Sequence, residues 1–161
     1  MIIAFTGYRQ NKLPNKETGY IIPNPTYNYV CQETEKLLLK LKPEKCISGM
    51  STGYDQFAAF VCIQLGIPFI AAIPHIGQEK IWPQKSQDQY NWLLKKASEI
   101  VVVSEGGYAA YKMQVRNEWM VNNCDEVIAC IRSNETNGGT FNCVKYAEQQ
   151  NKPIHRIDPN I

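Results

Sequence analysis

The stretch DEVIACIRSNETNGGTFNCVKYA (residues 125–147) contains one complete folding unit and indicates how the rest of the chain is built. Its first part, DEVIACI, is almost entirely apolar, which predicts a buried strand. A helical pattern begins near Val144. Gly138 and Gly139 lie between the two, where a residue without a Cβ permits positive φ and close approach of another group. The N–H groups and the dipole of a helix at this turn favour an anion.

The same strand–loop–helix unit recurs along the chain. Predicted strands cover Ile2–Phe5, Lys45–Ser48, Ile67–Ile73, Glu99–Ser104, Glu126–Ile131 and Pro153–Ile157. Predicted helices cover Thr26–Lys42, Asp55–Gly66, Ser86–Ala97, Tyr111–Cys124 and Thr140–Asn151. Apolar strands that alternate with helices are typical of an α/β fold covered on both faces. We therefore expect one Rossmann-like three-layer domain over residues 1–161, with a mainly parallel sheet of about six strands and right-handed crossovers.

Composition restricts the function more than it specifies it. The net charge of +2, with 20% charged residues, disfavours nucleic acid as a partner through a basic face. No apolar run reaches the length of a membrane span, and the N-terminus lacks the features of a signal peptide. We expect a cytoplasmic protein without a membrane partner.

The cysteines have no metal-binding spacing. There are six of them, none in a C-x-x-C pair, and no paired histidines accompany them. Their positions are Cys31, Cys46, Cys62, Cys124, Cys130 and Cys143. We interpret them as small core residues of a reducing compartment, and we expect neither a metal nor a cofactor.

Three loops that follow predicted strands contain glycine. They are TGYR (residues 6–9), SGMSTGYD (residues 48–55) and NGGT (residues 137–140). Because the carboxyl ends of parallel strands meet at one edge of the sheet, the three loops together predict an anion- or nucleotide-binding edge. None matches the P-loop or the G-x-G-x-x-G pattern, which disfavours a kinase, an ATPase or a standard NAD dehydrogenase.

Polar side chains in these loops have two interpretations each. Arg9 could clamp a phosphate or a carboxylate, and Tyr8 could stack on a base. Thr140 could cap the last helix, offer its hydroxyl to a phosphate, or do both. Ser51 and Thr52 have the same alternatives before the second helix.

The long irregular segments 7–25 and 74–85 are also candidate functional loops. In the second, Trp82 could cover a base and Gln78 could read its edge. His75 has no visible acid partner, so no catalytic triad is supported, and the alternative for it is an exposed loop histidine.

The stretches TGYR, SGMSTGYDQFAA, VRNEWMV and NGGT, in this order, resemble the SLOG superfamily, and within it the YpsA-type branch. Many members of that branch occur in Firmicutes and their phages, and the resemblance covers nearly the whole chain. The superfamily also contains Lonely Guy phosphoribohydrolases, DNA-processing proteins and sensor domains that bind NAD-derived nucleotides. The resemblance implies a Rossmann-like fold and a nucleotide-type ligand near the GGT turn.

The resemblance assigns a role to Arg116, flanked by Asn117. It matches an arginine that binds the nucleotide 5′-monophosphate in the Lonely Guy enzymes, a role that suits a forked, permanent cation. The alternative is a surface arginine paired with Glu118 or Glu99.

One departure from the Lonely Guy pattern bears on catalysis. Those enzymes read P-G-G-x-G-T-x-x-E, whereas this chain reads NGGTFNCV, with Cys143 in place of the carboxylate. N-glycosidic cleavage normally uses a carboxylate to stabilise the ribosyl centre or activate water, so the departure argues against hydrolysis of that type. Asp55 could substitute for it, or it could simply favour the start of the second helix.

The predicted ligand-binding residues are Thr6, Gly7, Tyr8, Arg9, Ser48, Gly49, Met50, Asp55, His75, Gln78, Trp82, Arg116, Asn117, Gly138, Gly139 and Thr140. Asp55 is also the catalytic candidate. The first functional hypothesis is a module that binds a nucleotide or an NAD-derived, ADP-ribose-like molecule, as a sensor or as a sponge for a host immune signal in a phage setting. The others are an N-glycosidic hydrolase or ribosyl transferase, and a single-stranded DNA-binding protein. We also expect a homo-oligomer.

Overall fold

The computed structural model describes residues 1–16 and 24–160, and within them it contains six β-strands and five α-helices in strict alternation. The strands are β1 (Ile2–Gly7), β2 (Lys45–Ser48), β3 (Phe69–Ile73), β4 (Glu99–Val102), β5 (Glu126–Cys130) and β6 (Ile154–Ile157). The helices are α1 (Pro25–Leu41), α2 (Tyr54–Leu65), α3 (Gln84–Lys96), α4 (Tyr111–Asn122) and α5 (Gly139–Gln149).

All the strand pairs are parallel, and the order across the sheet is β4-β3-β2-β1-β5-β6. Helices α1, α2 and α3 pack side by side, and α4 packs against α5. Right-handed crossovers place these two groups on opposite faces of the sheet. The predicted Rossmann-like α/β fold is confirmed.

The strand order reverses between β1 and β5. The chain runs outward from β1 to β4 and then crosses back to form β5 on the other side of β1. Gly7 at the end of β1 pairs with Cys130 at the end of β5, so both strands finish at the same level. The loops that follow them therefore open on either side of one crevice, which is where ligands bind in sheets of this type.

Several element boundaries differ from those predicted. Helix α3 begins at Gln84, two residues earlier than predicted, because Pro83 directly precedes its first turn. In the predicted loop 7–25, residues Gln10–Lys12 form a short 3₁₀ helix, and residues 17–23 lie outside the described part. Strand β4 is an edge strand with Ile100 and Val102 partly exposed, so the prediction that every strand is buried on both faces is wrong there.

The cysteines behave as core residues. Five are buried and Cys31 is partly buried. Within residues 1–16 and 24–160, no three His, Cys, Asp or Glu side chains are grouped so that they could hold a metal ion. None of the helices described is both long enough and apolar enough to cross a membrane.

Candidate functional site

A cavity of about 190 Å³ opens in the crevice between the ends of β1 and β5. We call it the anion pocket. It is lined by Thr6, Gly7, Tyr8, Arg9, Asn11, Lys12, Ser51, Asp55, Met113, Arg116, Asn117, Asn137, Gly138, Gly139 and Thr140. These residues come from the end of β1 and the loop after it, from the β2–α2 and β5–α5 connections with the first turns of those helices, and from α4, so four separate parts of the sequence meet here.

The start of α5 forms one wall of the anion pocket. Gly138, with φ of 101°, is the N-cap, and no side chain caps the helix. The prediction that Thr140 caps this helix is wrong, because the left-handed glycine turn lets the helix begin one residue earlier, at Gly139. A Cβ on Gly139 would meet no atom within 4 Å. The first-turn N–H groups, which have no acceptor inside the helix, therefore border open space.

Two cations stand at the rim of the anion pocket. Arg9 and Lys12 are both exposed, and neither makes an ion pair with any residue in the described part of the chain. Among those residues the Arg9 side chain makes one weak hydrogen bond, from Nη2 to Sδ of Met113 at 3.8 Å. The Lys12 ammonium lies 3.3 Å from the point a Cβ on Gly138 would occupy. Both charges are thus available to a ligand at the glycine turn.

Arg116 forms the floor of the pocket and is held by the protein itself. Nη1 donates to the carbonyl oxygens of Gly49 at 2.5 Å and Ala72 at 3.3 Å. Nε donates to Oδ1 of Asn117 at 3.1 Å, and Nη2 reaches Oγ of Ser51 at 3.4 Å. All these acceptors are neutral, and together they engage most of the N–H groups of the guanidinium.

The burial of Arg116 contradicts the predicted surface ion pair and explains why residue 49 is a glycine. The side chain is only 4% exposed, so a surface ion pair with Glu118 or Glu99 is wrong. A Cβ on Gly49 would lie 2.4 Å from Nη1 of Arg116. Gly49 is therefore required by the arginine, and it does not itself line the anion pocket. Burial lowers the pKa of Arg116, partly offset by the nearby Asp55 carboxylate.

Asp55 lies beside Arg116 and is 6% exposed. Its Oδ2 accepts the backbone N–H of Ser51 at 3.3 Å. Burial raises the pKa of Asp55 to about 6, against the lowering influence of the Arg116 charge, the Ser51 N–H and the Arg9 charge. Gly53 is the N-cap of α2, so capping by Ser51 or Thr52 is contradicted, because the chain turns through positive φ at that glycine. Asp55 is in the first turn, where a carboxylate suits the helix dipole.

Tyr8 is not free to stack on a base. Its hydroxyl donates to Oε1 of Glu135 at 2.7 Å and accepts the N–H of Arg132 at 2.9 Å. The Arg132 guanidinium covers one face of the ring at 4.5 Å, and the residue is 2% exposed. The predicted stacking role is therefore contradicted. Gly7 lines the pocket, but a Cβ there would lie 2.6 Å from Tyr54, so packing already requires this glycine.

Other predicted residues lie behind the pocket. Ser48 and Met50 are fully buried, and Oγ of Ser48 donates to the carbonyl oxygen of Asp55 at 2.8 Å. Ser48 thus shapes the loop, and neither residue lines the cavity. Thr6 lines the pocket, and its side chain lowers the pKa of the Cys143 thiol by less than burial raises it. Burial raises the pKa of the Cys143 thiol to about 11, which argues against a nucleophile.

The loop after β3 builds a second cavity of about 480 Å³, which we call the aromatic pocket. It is lined by Arg9, His75, Gly77, Gln78, Ile81, Trp82, Tyr108, Ala110 and Met113. Arg9 and Met113 also line the anion pocket, so the two cavities adjoin. His75 is 3% exposed, and the alternative of an exposed loop histidine is wrong.

Sequence reasoning missed four residues of the anion pocket: Asn11, Lys12, Met113 and Asn137. The polar run QNK directly after TGYR was a usable signal for the first two. Met113 precedes Arg116 by three residues on α4, which places both on one face of the helix. Asn137 is next to the glycine pair and could have been included on position alone.

Comparison with known proteins gives a match over nearly the whole chain. The YpsA family model, described as the YspA SLOG family, matches residues 3–160. The chain is also similar to the SPbeta prophage-derived protein YoqJ of Bacillus subtilis. The two are 30% identical over 132 residues, which cover 71% of this chain and 75% of YoqJ.

Two solved structures share the fold. DNA processing protein A of Streptococcus pneumoniae superposes with a TM-score of 0.64 at 17% identity, over 97% of this chain and 50% of that one. The protein of the same name from Helicobacter pylori, solved to study its single-stranded DNA binding mode, gives 0.66 at 19% identity, over 98% and 65%. The chain thus spans half to two thirds of these structures. At such identities the likeness concerns the fold alone.

Proposed function

The chain belongs to the YpsA SLOG family, and we propose that it binds a phosphorylated nucleotide or an NAD-derived, ADP-ribose-like molecule in the anion pocket. The binding serves as a sensor, or as a sponge for a host immune signal in a phage setting. A prophage-derived relative supports the phage setting.

One observation carries the proposal: the uncapped start of α5 faces the same cavity as Arg9 and Lys12. A helix start offers N–H donors and partial positive charge, and two cations without ion pairs add to it. Gly139 leaves room for close approach. Because the neighbouring donors of Arg116 are mostly engaged, the phosphate contacts fall to the rim, with Arg116 contributing charge from below.

The volumes of the two pockets support a small-molecule ligand. The anion pocket alone, at about 190 Å³, suits a phosphate and a sugar better than a whole nucleotide. With the adjoining aromatic pocket of about 480 Å³, the site reaches the range of roughly 300–1,000 Å³ found for small-molecule sites. A mononucleotide can place its phosphate and ribose in the anion pocket and its base in the aromatic pocket.

An N-glycosidic hydrolase or ribosyl transferase is the second candidate, and Asp55 favours it. A buried carboxyl in a cleft with its pKa raised to about 6 is a recognised mark of a general acid or base. Asp55 could hold a ribose hydroxyl or activate water at the ribosyl centre. Loss of turnover with retained ligand binding in Asp55→Asn would support this reaction.

Single-stranded DNA is the third candidate. It is favoured by the fold shared with DNA processing protein A and by the exposed cations Arg9 and Lys12. The net charge of +2 opposes it. A DNA-binding site would lose affinity steeply with added salt, whereas binding of a mononucleotide in an enclosed pocket would fall less.

The test is incubation of the purified protein with nucleotides, NAD, ADP-ribose and cyclic ADP-ribose isomers, followed by mass spectrometry of the bound and free fractions. A compound recovered intact from the protein supports the binding module. A released base with ribose phosphate supports the hydrolase. Recovery of none of them, together with salt-sensitive retention of a single-stranded oligonucleotide, would replace the proposal with the DNA candidate. Light scattering of the same samples tests the proposed homo-oligomer.

A further inference from the structure

Two buried polar atoms beside the aromatic pocket have no hydrogen-bond partner within the described residues. They are Nε2 of His75 and Oε1 of Gln78. Both residues line the pocket, and their side chains are 3% and 5% exposed. An unsatisfied buried polar group destabilises the fold, so a pair of them in two residues that line one cavity points to a ligand that supplies the missing donors.

The hydrogen bonds made by the other side-chain atoms of His75 and Gln78 identify both unpaired atoms as acceptors. Nδ1 of His75 lies 2.9 Å from the carbonyl oxygen of Ile76, which can only accept. Nδ1 therefore carries the proton, and Nε2 of the neutral ring is an acceptor. Nε2 of Gln78 donates to the carbonyl oxygen of Gly49 at 3.4 Å and to the hydroxyl of Tyr90 at 3.2 Å. This orients the amide so that Oε1, a second acceptor, is the free atom.

We propose that the aromatic pocket selects a planar heterocycle that carries an exocyclic amino group, as in a 6-aminopurine, and rejects the 6-oxo analogue. An amino group has two N–H donors, one for each orphaned acceptor, whereas an oxo group would face both with lone pairs. Trp82 supplies aromatic surface for the ring. The inference rests on the proposed function for the placement of the phosphate, but the discrimination comes from His75 and Gln78.

The ring reaches these atoms only after a side chain moves. Tyr108 packs its ring against His75 at 5.9 Å in an edge-to-face arrangement and is 72% exposed. It follows Gly106 and Gly107 in an irregular segment. Lys112 donates to the carbonyl oxygens of Glu105 and Gly107, which anchors the start of that segment. Tyr108 can thus swing away on a fixed base, and an incoming ring takes its place against His75.

The test compares AMP with IMP by isothermal titration calorimetry on the unmodified protein. The two differ at C6, which carries an amino group in AMP and an oxo group in IMP, and at N1, which carries a hydrogen only in IMP. We expect AMP to bind at least ten-fold more tightly, because a polar site rejects a ligand that leaves its groups unpaired. Equal affinities, or tighter binding of IMP, would overturn the inference. Tighter binding of nicotinamide mononucleotide than of AMP would also overturn it, since the pocket would then hold a carboxamide ring.

A substitution of Gln78 tests whether this residue causes the preference for AMP. Gln78→Met keeps the length of the side chain and removes the acceptor, so the preference for AMP should shrink several-fold. Gln84→Met, at an exposed position outside both pockets, should leave it unchanged. A preference that survives intact in Gln78→Met contradicts the assignment. If that variant fails to fold, the AMP and IMP comparison on the unmodified chain still decides.

Failure of the inference and failure of the proposed function give different results. Ribose 5-phosphate, adenosine and inosine are titrated alongside the nucleotides. Binding of ribose 5-phosphate without any AMP preference retains the anion pocket and rejects the base selection. Adenosine preferred over inosine, with no gain from a phosphate, retains the base selection and rejects the anion site. No binding of any of the compounds rejects both.

Discussion

The floor and the rim of the anion pocket differ in what holds their charged groups. On the floor, Arg116 and Asp55 are buried and bonded to backbone and neutral side-chain groups. On the rim, Arg9 and Lys12 are exposed cations beside an uncapped helix start. The floor therefore sets the shape of the loops, and the rim keeps its hydrogen-bonding capacity for a ligand. Arg116 and Arg9 line the same cavity, but their hydrogen-bond partners distinguish a structural arginine on the floor from one on the rim that is open to a ligand.

Replacing Arg116 should give the largest effect, and the effect should be on stability. Arg116→Ala removes the guanidinium donor from the buried carbonyl oxygens of Gly49 and Ala72, leaves Gly49 only the long hydrogen bond from Gln78, and opens a cavity. We expect a loss of about 3–5 kcal/mol in the free energy of unfolding, measured by urea denaturation. The exposed Arg156 is the matched control, and Arg156→Ala should change stability by less than about 0.5 kcal/mol. An Arg116→Ala protein of normal stability that has lost only ligand binding would break the division between floor and rim.

Asp55 should make the stability of the folded protein depend on pH. Since its pKa is raised from 3.8 to about 6 in the folded state, the folded protein binds the proton more strongly than the unfolded chain. The resulting stability is present below pH 4 and is lost as the pH rises through about 6, by up to about 3 kcal/mol.

Asp55→Asn removes this dependence, because the amide does not ionise. Relative to the unmodified protein, the variant should therefore gain stability between pH 4 and pH 7, as followed by thermal or urea unfolding at each pH. Asp88→Asn, an exposed change, serves as the control. A constant difference between Asp55→Asn and the unmodified protein across this range would show that burial does not govern the carboxyl.

On the rim, Arg9→Ala should weaken binding without weakening the fold. A charged hydrogen bond to phosphate is worth about 1.5–3 kcal/mol, so affinity for the ligand identified by mass spectrometry should fall about 10- to 100-fold. The side chain is exposed, and we expect stability to change by less than about 0.5 kcal/mol. Lys145→Ala, an exposed cation outside the pocket, controls for net charge. Unchanged affinity in Arg9→Ala would show that the anion does not bind at the rim.

Gly139→Ala should give the smallest effect and the cleanest separation of the two properties. The added methyl group enters open space in the folded protein, so stability should hold or rise by about 0.4–1 kcal/mol. The same methyl group obstructs a phosphate at the helix start, so affinity should fall about five-fold or more. Gly107→Ala, also unobstructed and outside the anion pocket, should leave the affinity for ribose 5-phosphate unchanged. Calorimetry on both variants would sharpen the comparison, and equal affinities would exclude close contact at Gly139.

The residue pattern was sufficient to predict the fold and to predict that the glycine loops meet at one edge of the sheet. Apolar strands alternating with helices admit few packings, and the loops TGYR and NGGT come together because parallel strands end at one edge. The presence of glycine in the three loops did not show why it is needed. Gly49 accommodates Arg116 and Gly7 accommodates Tyr54, and among the glycines of these loops only Gly139 has open space where a Cβ would lie.

The tertiary structure decided which polar side chains are free. Tyr8 looked available until Glu135 and Arg132, more than a hundred residues away along the chain, proved to occupy its hydroxyl. For His75 the sequence left open an exposed loop position, and Gln78 was expected to read the edge of a base. Packing buries both side chains and leaves one acceptor on each unpaired. A pattern of residues states which groups could bond, whereas their actual partners depend on distances of about 3 Å between segments that only the folded chain brings together.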